Sequence, residues 1–261
     1  MILNYKNFTD KKTQINENVE YDDEIRKYNH MIDYTQLDPS ATEEDIISLT
    51  ETARIIVPAS VCVLPKMVKL SKEELQDTEI MVCTVISFPD GDNTLESKFA
   101  ETLKAIKDGA DEIDMVLDYK LLKKNWKDGE VDQNTHEYLS NDIKQLAELC
   151  HKHNVTLKVI VESGLLTVEQ TVYTTNLCLK NGADFIKTST GKVARGAELS
   201  KVEAMYKTIK EFGGTMYIKA SGGIRTLDDI KKFLPYTDRF GIGYAAVNKM
   251  NHIITPGSSD Y

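Results

Sequence analysis

Phe185-Ile186-Lys187-Thr188-Ser189-Thr190-Gly191-Lys192 begins as a strand and ends as a hydroxyl-rich turn, with a lysine where an apolar core residue belongs. Its frame recurs. Gly182-Ala183-Asp184-Phe185-Ile186-Lys187 is echoed by Gly109-Ala110-Asp111-Glu112-Ile113-Asp114, and more loosely by Gly214-Thr215-Met216-Tyr217-Ile218-Lys219. Each glycine follows a helical pattern, an isoleucine comes four residues later, and an ionisable residue comes fifth. If each glycine caps a helix, three strands start alike. Asp114, Lys187 and Lys219 then reach similar depth on one face of one sheet.

Outward from this frame the chain alternates. Apolar, β-branched runs predict strands at Met31–Tyr34, Val61–Leu64, Ile80–Ser87, Glu112–Leu117, Leu157–Glu162, Phe185–Thr188, Met216–Ala220 and Phe240–Gly243. Between them lie helical patterns. One opens at Thr42, the expected N-cap. Others carry stripes at Leu95, Phe99, Leu103 and Ile106, and at Leu139, Ile143, Leu146 and Cys150. Three more run over Thr167–Leu179, Leu199–Phe212 and Thr226–Leu234. Strands alternating with helices imply parallel pairing through helical crossovers. Eight such units in this length match a (β/α)8 barrel; an open doubly wound sheet is the alternative. The whole chain, 1–261, reads as one domain. Residues 1–29 form an extension with a short helix over Tyr21–Tyr28, 30–250 the barrel, and 251–261 a mobile tail. The polar stretch Lys120–Asn134 reads as a loop leading into a long helix.

Composition narrows the function. The 261 residues are 41% hydrophobic, without a run long enough to span a membrane. The start, Met1 to Glu20, lacks the apolar core of a signal peptide, which favours the cytoplasm. The net charge of −9 speaks against non-specific nucleic-acid binding. It leaves room for a small anionic substrate held by backbone amides. Cys62, Cys83, Cys150 and Cys178 form no CxxC pair, and the histidines no HxxxH, so reduced thiols and no metal site are expected.

Two glycine-rich spellings need weighing. Gly241-Ile242-Gly243-Tyr244-Ala245-Ala246 fits a dinucleotide-binding spelling, but too little chain follows for the second strand such a unit needs. It reads instead as a turn after the last strand, a place where barrels hold phosphate. Gly222-Gly223, with the helix start at Thr226, is the other half of that site. Ser189-Thr190-Gly191-Lys192 is not a P-loop, because Ile186 stands where the first glycine belongs.

The lysines carry the chemistry. An isolated strand lysine ordinarily snorkels to water. Here two sit at matched positions on two strands, and Asp114 matches them on a third. Burying three such groups without a task costs several kcal/mol, on the order of a desolvation penalty each. Crowded ammonium groups and apolar walls favour a neutral amine, and a neutral amine attacks carbonyls. On this reading Lys187 forms a Schiff base, Lys219 is the neighbouring charge, and Asp114 moves protons. The iminium is itself the electron sink, so no cofactor is expected.

At these residues, and over about 30 to 250, the chain resembles deoxyribose-phosphate aldolase, a class I aldolase family on a (β/α)8 barrel. Residues 185–192 look like the family's Schiff-base strand. Lys219-Ala220-Ser221-Gly222-Gly223-Ile224-Arg225 is similar to its second-lysine segment, and Asp111-Glu112-Ile113-Asp114-Met115-Val116 to its aspartate strand. Residues 83–89 and 157–164 add support. The resemblance implies Lys187 as Schiff-base lysine, Lys219 as the tuning lysine and Asp114 as proton relay. It also implies Asp33, Thr35, Cys62, Thr190, Gly191 and Lys192 around the substrate, and Tyr261 as a C-terminal proton shuttle. Gly222, Gly223, Gly243 and Tyr244 would lie at the phosphate. Two departures stand out. Tyr34 and Asp38 take places where the family commonly has histidine and lysine, and Tyr244 is bulky for the phosphate turn.

The implied reaction is reversible cleavage of 2-deoxy-D-ribose 5-phosphate to acetaldehyde and D-glyceraldehyde 3-phosphate, in deoxyribonucleoside catabolism, by a homodimer or other homo-oligomer. The alternatives are a Schiff-base aldolase with another donor or an unphosphorylated acceptor, and a catalytically silent sugar-phosphate binding protein.

Overall fold

The computed structural model describes residues 24–193 and 195–253. Eight parallel strands close into a barrel: β1 (Ile32–Gln36), β2 (Ser60–Val63), β3 (Met81–Ile86), β4 (Glu112–Val116), β5 (Thr156–Ile160), β6 (Phe185–Lys187), β7 (Tyr217–Ser221) and β8 (Arg239–Gly243). Each strand pairs with its neighbours in sequence, and β1 closes on β8. The open-sheet alternative is thereby excluded. Most strand positions are buried, because side chains of one parity fill the interior and those of the other meet the helices.

The outer ring is α1 (Glu43–Ile56), α2 (Val68–Glu74), α3 (Leu95–Lys107), α4 (Gln133–Lys152), α5 (Val168–Lys180), α6 (Leu199–Glu211), α7 (Leu227–Phe233) and α8 (Tyr244–Met250). Three of their starts are written in sequence as reciprocal caps: Thr42 with Asp45, Thr167 with Gln170 and Thr226 with Asp229.

The recurring glycine frame is real but not uniform. Gly109 and Gly182 adopt the left-handed conformation, at φ 103° and 86°. In the third copy it is Gly213, not Gly214, that turns left-handed. One extra residue is absorbed there before β7, and Lys187 still lies directly across from Lys219 in register.

A second device pins the strands at their N-terminal ends. The carboxylates of Asp111, Asp184 and Asp238 accept from the backbone N–H of Val82, Leu157 and Ile218 at 2.9, 2.8 and 2.9 Å. Each aspartate precedes a strand and holds the first residues of the strand before it.

Three local expectations need correction. Lys120–Asn134 is not a plain loop. It follows the start of a short helix, Tyr119–Lys124, and contains an antiparallel hairpin, Trp126–Lys127 with Glu130–Val131. Asp128 and Gly129 both have positive φ in its turn, the signal that an Asp-Gly pair gives. Trp126 packs edge-on against Tyr173, with ring centres 5.4 Å apart. Between β2 and β3 the chain makes a short turn at Pro65–Met67 and then α2, an element the sequence pattern does not mark. Of the N-terminal helix, Arg26–Asn29 is helical and residues 21–23 lie outside the described residues. Asn251 hydrogen-bonds Asn29 at 2.9 Å and Ile253 is buried, so the chain is still docked at 251–253. Tyr261 lies outside the described residues. Among the described residues no helix is long and apolar enough to cross a membrane.

Candidate active site

Asp114 on β4 sits at the centre of the barrel, fully buried. Its Oδ2 accepts from Lys187 Nζ and from Lys219 Nζ, each at 2.6 Å. Its Oδ1 accepts from Lys158 Nζ at 3.1 Å. Register alone puts Asp114 across from Lys158, whereas Lys187 faces Ile160 one pleat further on. Barrel tilt and stagger bring the three sequence-picked groups to one height. The two catalytic candidates among the lysines share one oxygen. They therefore lie far inside a Debye length of about 8 Å.

Below them the ion pairs continue. Lys219 also meets Asp33, whose other oxygen accepts from Arg239 at 2.7 Å. Lys158 donates to Glu112 at 2.5 Å, and Arg239 reaches the same carboxylate at 3.3 Å. The barrel interior thus holds three carboxylates (Asp33, Glu112, Asp114) and four basic groups (Lys158, Lys187, Lys219, Arg239). Burial pushes the Asp114 and Asp33 carboxyls up, but the surrounding lysine charges outweigh it and hold both well below the usual range. Burial likewise works against charge on Lys158 and Lys219, and the carboxylates overcome it, so both stay protonated well past the ordinary lysine value. Lys219 is therefore a fixed cation beside Lys187.

Above this floor opens a cavity of about 1150 Å³ at the C-terminal ends of the strands. Lys187 is the one of the three that reaches its wall. Thr35, Thr190, Gly191 and Lys192 also line it, as do Gly222, Gly223, Gly243 and Tyr244. Asp33 and Cys62 do not. Asp33 is a buried ion-pair partner of Lys219, and Cys62 is buried at the floor beside Cys83. Both stand behind the wall rather than on it. The helix start at Thr226 also differs from expectation. The amides of Arg225 and Thr226 are taken by the Asp229 carboxylate, at 3.0 Å each. An anion there is left with the glycine turns and, besides Lys187, with Lys192, Arg225 and Lys249 on the wall.

The loop after β6 is seated by close backbone contact. The Ala197 N–H donates to Gly222 O at 3.0 Å, and a Cβ on Gly196 would fall 2.0 Å from that oxygen. Within the loop the Thr190 hydroxyl donates to Glu162 Oε2 at 2.6 Å, and Lys192 Nζ donates to Leu37 O at 3.2 Å.

Sequence reasoning missed Lys158, Glu112, Arg239 and Glu162 as parts of the site. For Lys158 a signal existed: it lies two residues before Ile160, on the strand parity that faces inward, within an otherwise apolar run. Arg239 carries no such mark, since it opens its strand beside Asp238. Two clusters, Cys62–Cys83–Asp114 and Asp33–Cys83–Glu112, are tight enough to hold a cation. Their carboxylates are already engaged by ammonium and guanidinium groups, which a metal ion would have to displace.

The family model for DeoC/LacD family aldolases matches residues 30–237. The chain is 44% identical over 211 residues to a deoxyribose-phosphate aldolase of Metamycoplasma hominis, covering 81% of this chain and 89% of that protein. It is 43% identical over 205 residues to one of Clostridium botulinum, covering 78% and 90%. Among solved structures, a deoxyribose phosphate aldolase from Aeropyrum pernix, described as tetrameric, superposes with a TM-score of 0.76 at 26% identity. That match covers 86% of this chain and 90% of the other.

Proposed function

The chain belongs to the DeoC/LacD family of aldolases, and from that membership together with the site we infer that it reversibly cleaves 2-deoxy-D-ribose 5-phosphate to acetaldehyde and D-glyceraldehyde 3-phosphate. The observation that carries the residue roles is the sharing of Asp114 Oδ2 by Lys187 and Lys219, with Lys187 alone open to the cavity.

Lys187 attacks the aldehyde carbon of the open-chain sugar as a free amine. Loss of water gives the iminium, which draws electrons from the carbon–carbon bond that breaks. Lys219, held protonated, and Asp114, held ionised, supply a fixed donor and acceptor for the proton transfers of carbinolamine formation and loss. The phosphate lies at the glycine turns of Gly222–Gly223 and Gly243, with Lys192, Arg225 and Lys249 around it. Cytoplasmic residence, deoxyribonucleoside catabolism and a homo-oligomeric state belong to the same reading.

Incubation with acetaldehyde and borohydride, followed by peptide mass mapping, tests it. A reduced two-carbon adduct on Lys187, absent from Lys187→Ala, is expected. An adduct elsewhere, or none, would remove the assignment. One feature favours a second reading of the acceptor. Tyr244 stands beside Gly243 on the phosphate wall, 37% exposed. Comparing turnover of deoxyribose with that of its 5-phosphate separates the two, and the phosphate is expected to win.

A further inference from the structure

Glu162, at the end of β5, is buried and differs from the other buried carboxylates around the site. Asp33, Glu112 and Asp114 are each locked to lysine or arginine. Glu162 has no basic partner within ion-pair distance among the described residues. Its Oε1 is buried and has no hydrogen-bond partner among them either. Its Oε2 accepts from the Thr190 N–H at 3.1 Å and from the Thr190 hydroxyl at 2.6 Å. A carboxylate so placed can gain a proton without breaking an ion pair.

The second observation is the state of the Thr190 hydroxyl. Its proton is directed at Glu162, and the Lys192 N–H donates to its oxygen at 3.1 Å. A hydroxyl has one donor and two acceptor positions. The position left open is an acceptor, and Thr190 lines the cavity with Lys187. A substrate hydroxyl meeting Thr190 must therefore donate to it.

We propose that Glu162, acting through Thr190, is the terminal acceptor of the proton lost by the substrate hydroxyl when the carbon–carbon bond breaks. This rests on the aldolase reading above. The step balances. The hydroxyl proton of the carbinol carbon passes to Thr190 Oγ1, and the Thr190 proton passes to Glu162 Oε2. The carbon–oxygen double bond forms, and the pair from the broken carbon–carbon bond flows into the iminium to give a neutral enamine. The iminium charge and the Glu162 charge vanish together, so the buried site carries the same net charge before and after. In the synthesis direction the proton runs back along the same two hydrogen bonds.

The surroundings agree. Burial raises the Glu162 carboxyl above its ordinary value, against the pull of Thr190 and of Lys187. The Tyr119 phenol, from the short helix after β4, faces Glu162 as well and is raised by burial and in part by its charge. A raised carboxyl is a stronger base for a hydroxyl relay.

The test is Glu162→Gln in the full chain. Cleavage kcat is expected to fall about 100-fold, the lower range for removing a general base. Borohydride trapping of acetaldehyde on Lys187 should proceed at the wild-type rate. The acid limb of the wild-type kcat profile, set by Glu162 above pH 4.5, should disappear from the variant. Thr190→Val should lose a similar factor, Thr190→Ser should recover most of it, and the double variant Glu162→Gln/Thr190→Val should lose little more than either. Cleavage within threefold of wild type with an unchanged acid limb would overturn the proposal. Full activity in Thr190→Val would do so even if Glu162→Gln fails to fold. Loss of the adduct in the wild-type enzyme would instead remove the aldolase reading itself.

Discussion

At Asp114 one carboxylate accepts from three ammonium groups, and the consequences differ for each. Lys158 and Lys219 are enclosed on all sides, while Lys187 touches the cavity. Removing Lys158 leaves Glu112 and Asp114 short of a cation. Lys158→Met is expected to lose about 3–5 kcal/mol of stability, as for other broken buried pairs. Lys158→Met/Glu112→Gln, which restores charge balance, should regain much of it in denaturant titration. The residues that the sequence made legible were those with a repeated frame: Asp114, Lys187 and Lys219 each stand fifth after a glycine. Lys158 carried a signal, an inward-facing lysine in an apolar strand directly across from Asp114. Glu162 was hidden for a physical reason: its importance comes from its contact with Thr190 on the loop after β6, which the closed ring makes and no one segment shows.

The elements show a similar division. Helix starts were readable where hydroxyl and acid stand three apart, as at Thr42 and Asp45. Thr42→Ala should cost about 1 kcal/mol, seen as a lower unfolding midpoint with unchanged kcat, since neither Thr42 nor Asp45 lines the cavity. The hairpin at Trp126–Val131 was missed because its strands are two residues each, too short to show alternation. The seating of the loop after β6 could not be read either, since Gly196 meets Gly222 only through the fold. Gly196→Ala would force a Cβ into the Gly222 carbonyl. KM for the phosphorylated sugar should rise by about tenfold, on the order of a displaced positioning loop, with much less change for trapping of acetaldehyde on Lys187.

For the whole molecule, the interior ion pairs define a window of pH. Asp33 and Asp114 are depressed in the folded state, so their contribution is complete above the ordinary aspartate value of 3.8 and is lost as pH falls through their folded values. Lys158 and Lys219 are raised, so their contribution is complete below 10.5 and is lost as pH rises through theirs. Stability measured against pH should therefore be broad and flat between these limits and fall at both ends. A sharp optimum near neutrality would show that the interior pairs are not what sets the profile.

The three aspartate clasps at Asp111, Asp184 and Asp238 all grip the end of the ring opposite the cavity. Alignment of the staves is thus settled at the base, and the rim is released from that duty. Slow amide exchange should concentrate at Val82, Leu157 and Ile218 and fade toward the mouth. Changes of rim sequence that alter which sugars fit can then accumulate without the ring losing its alignment.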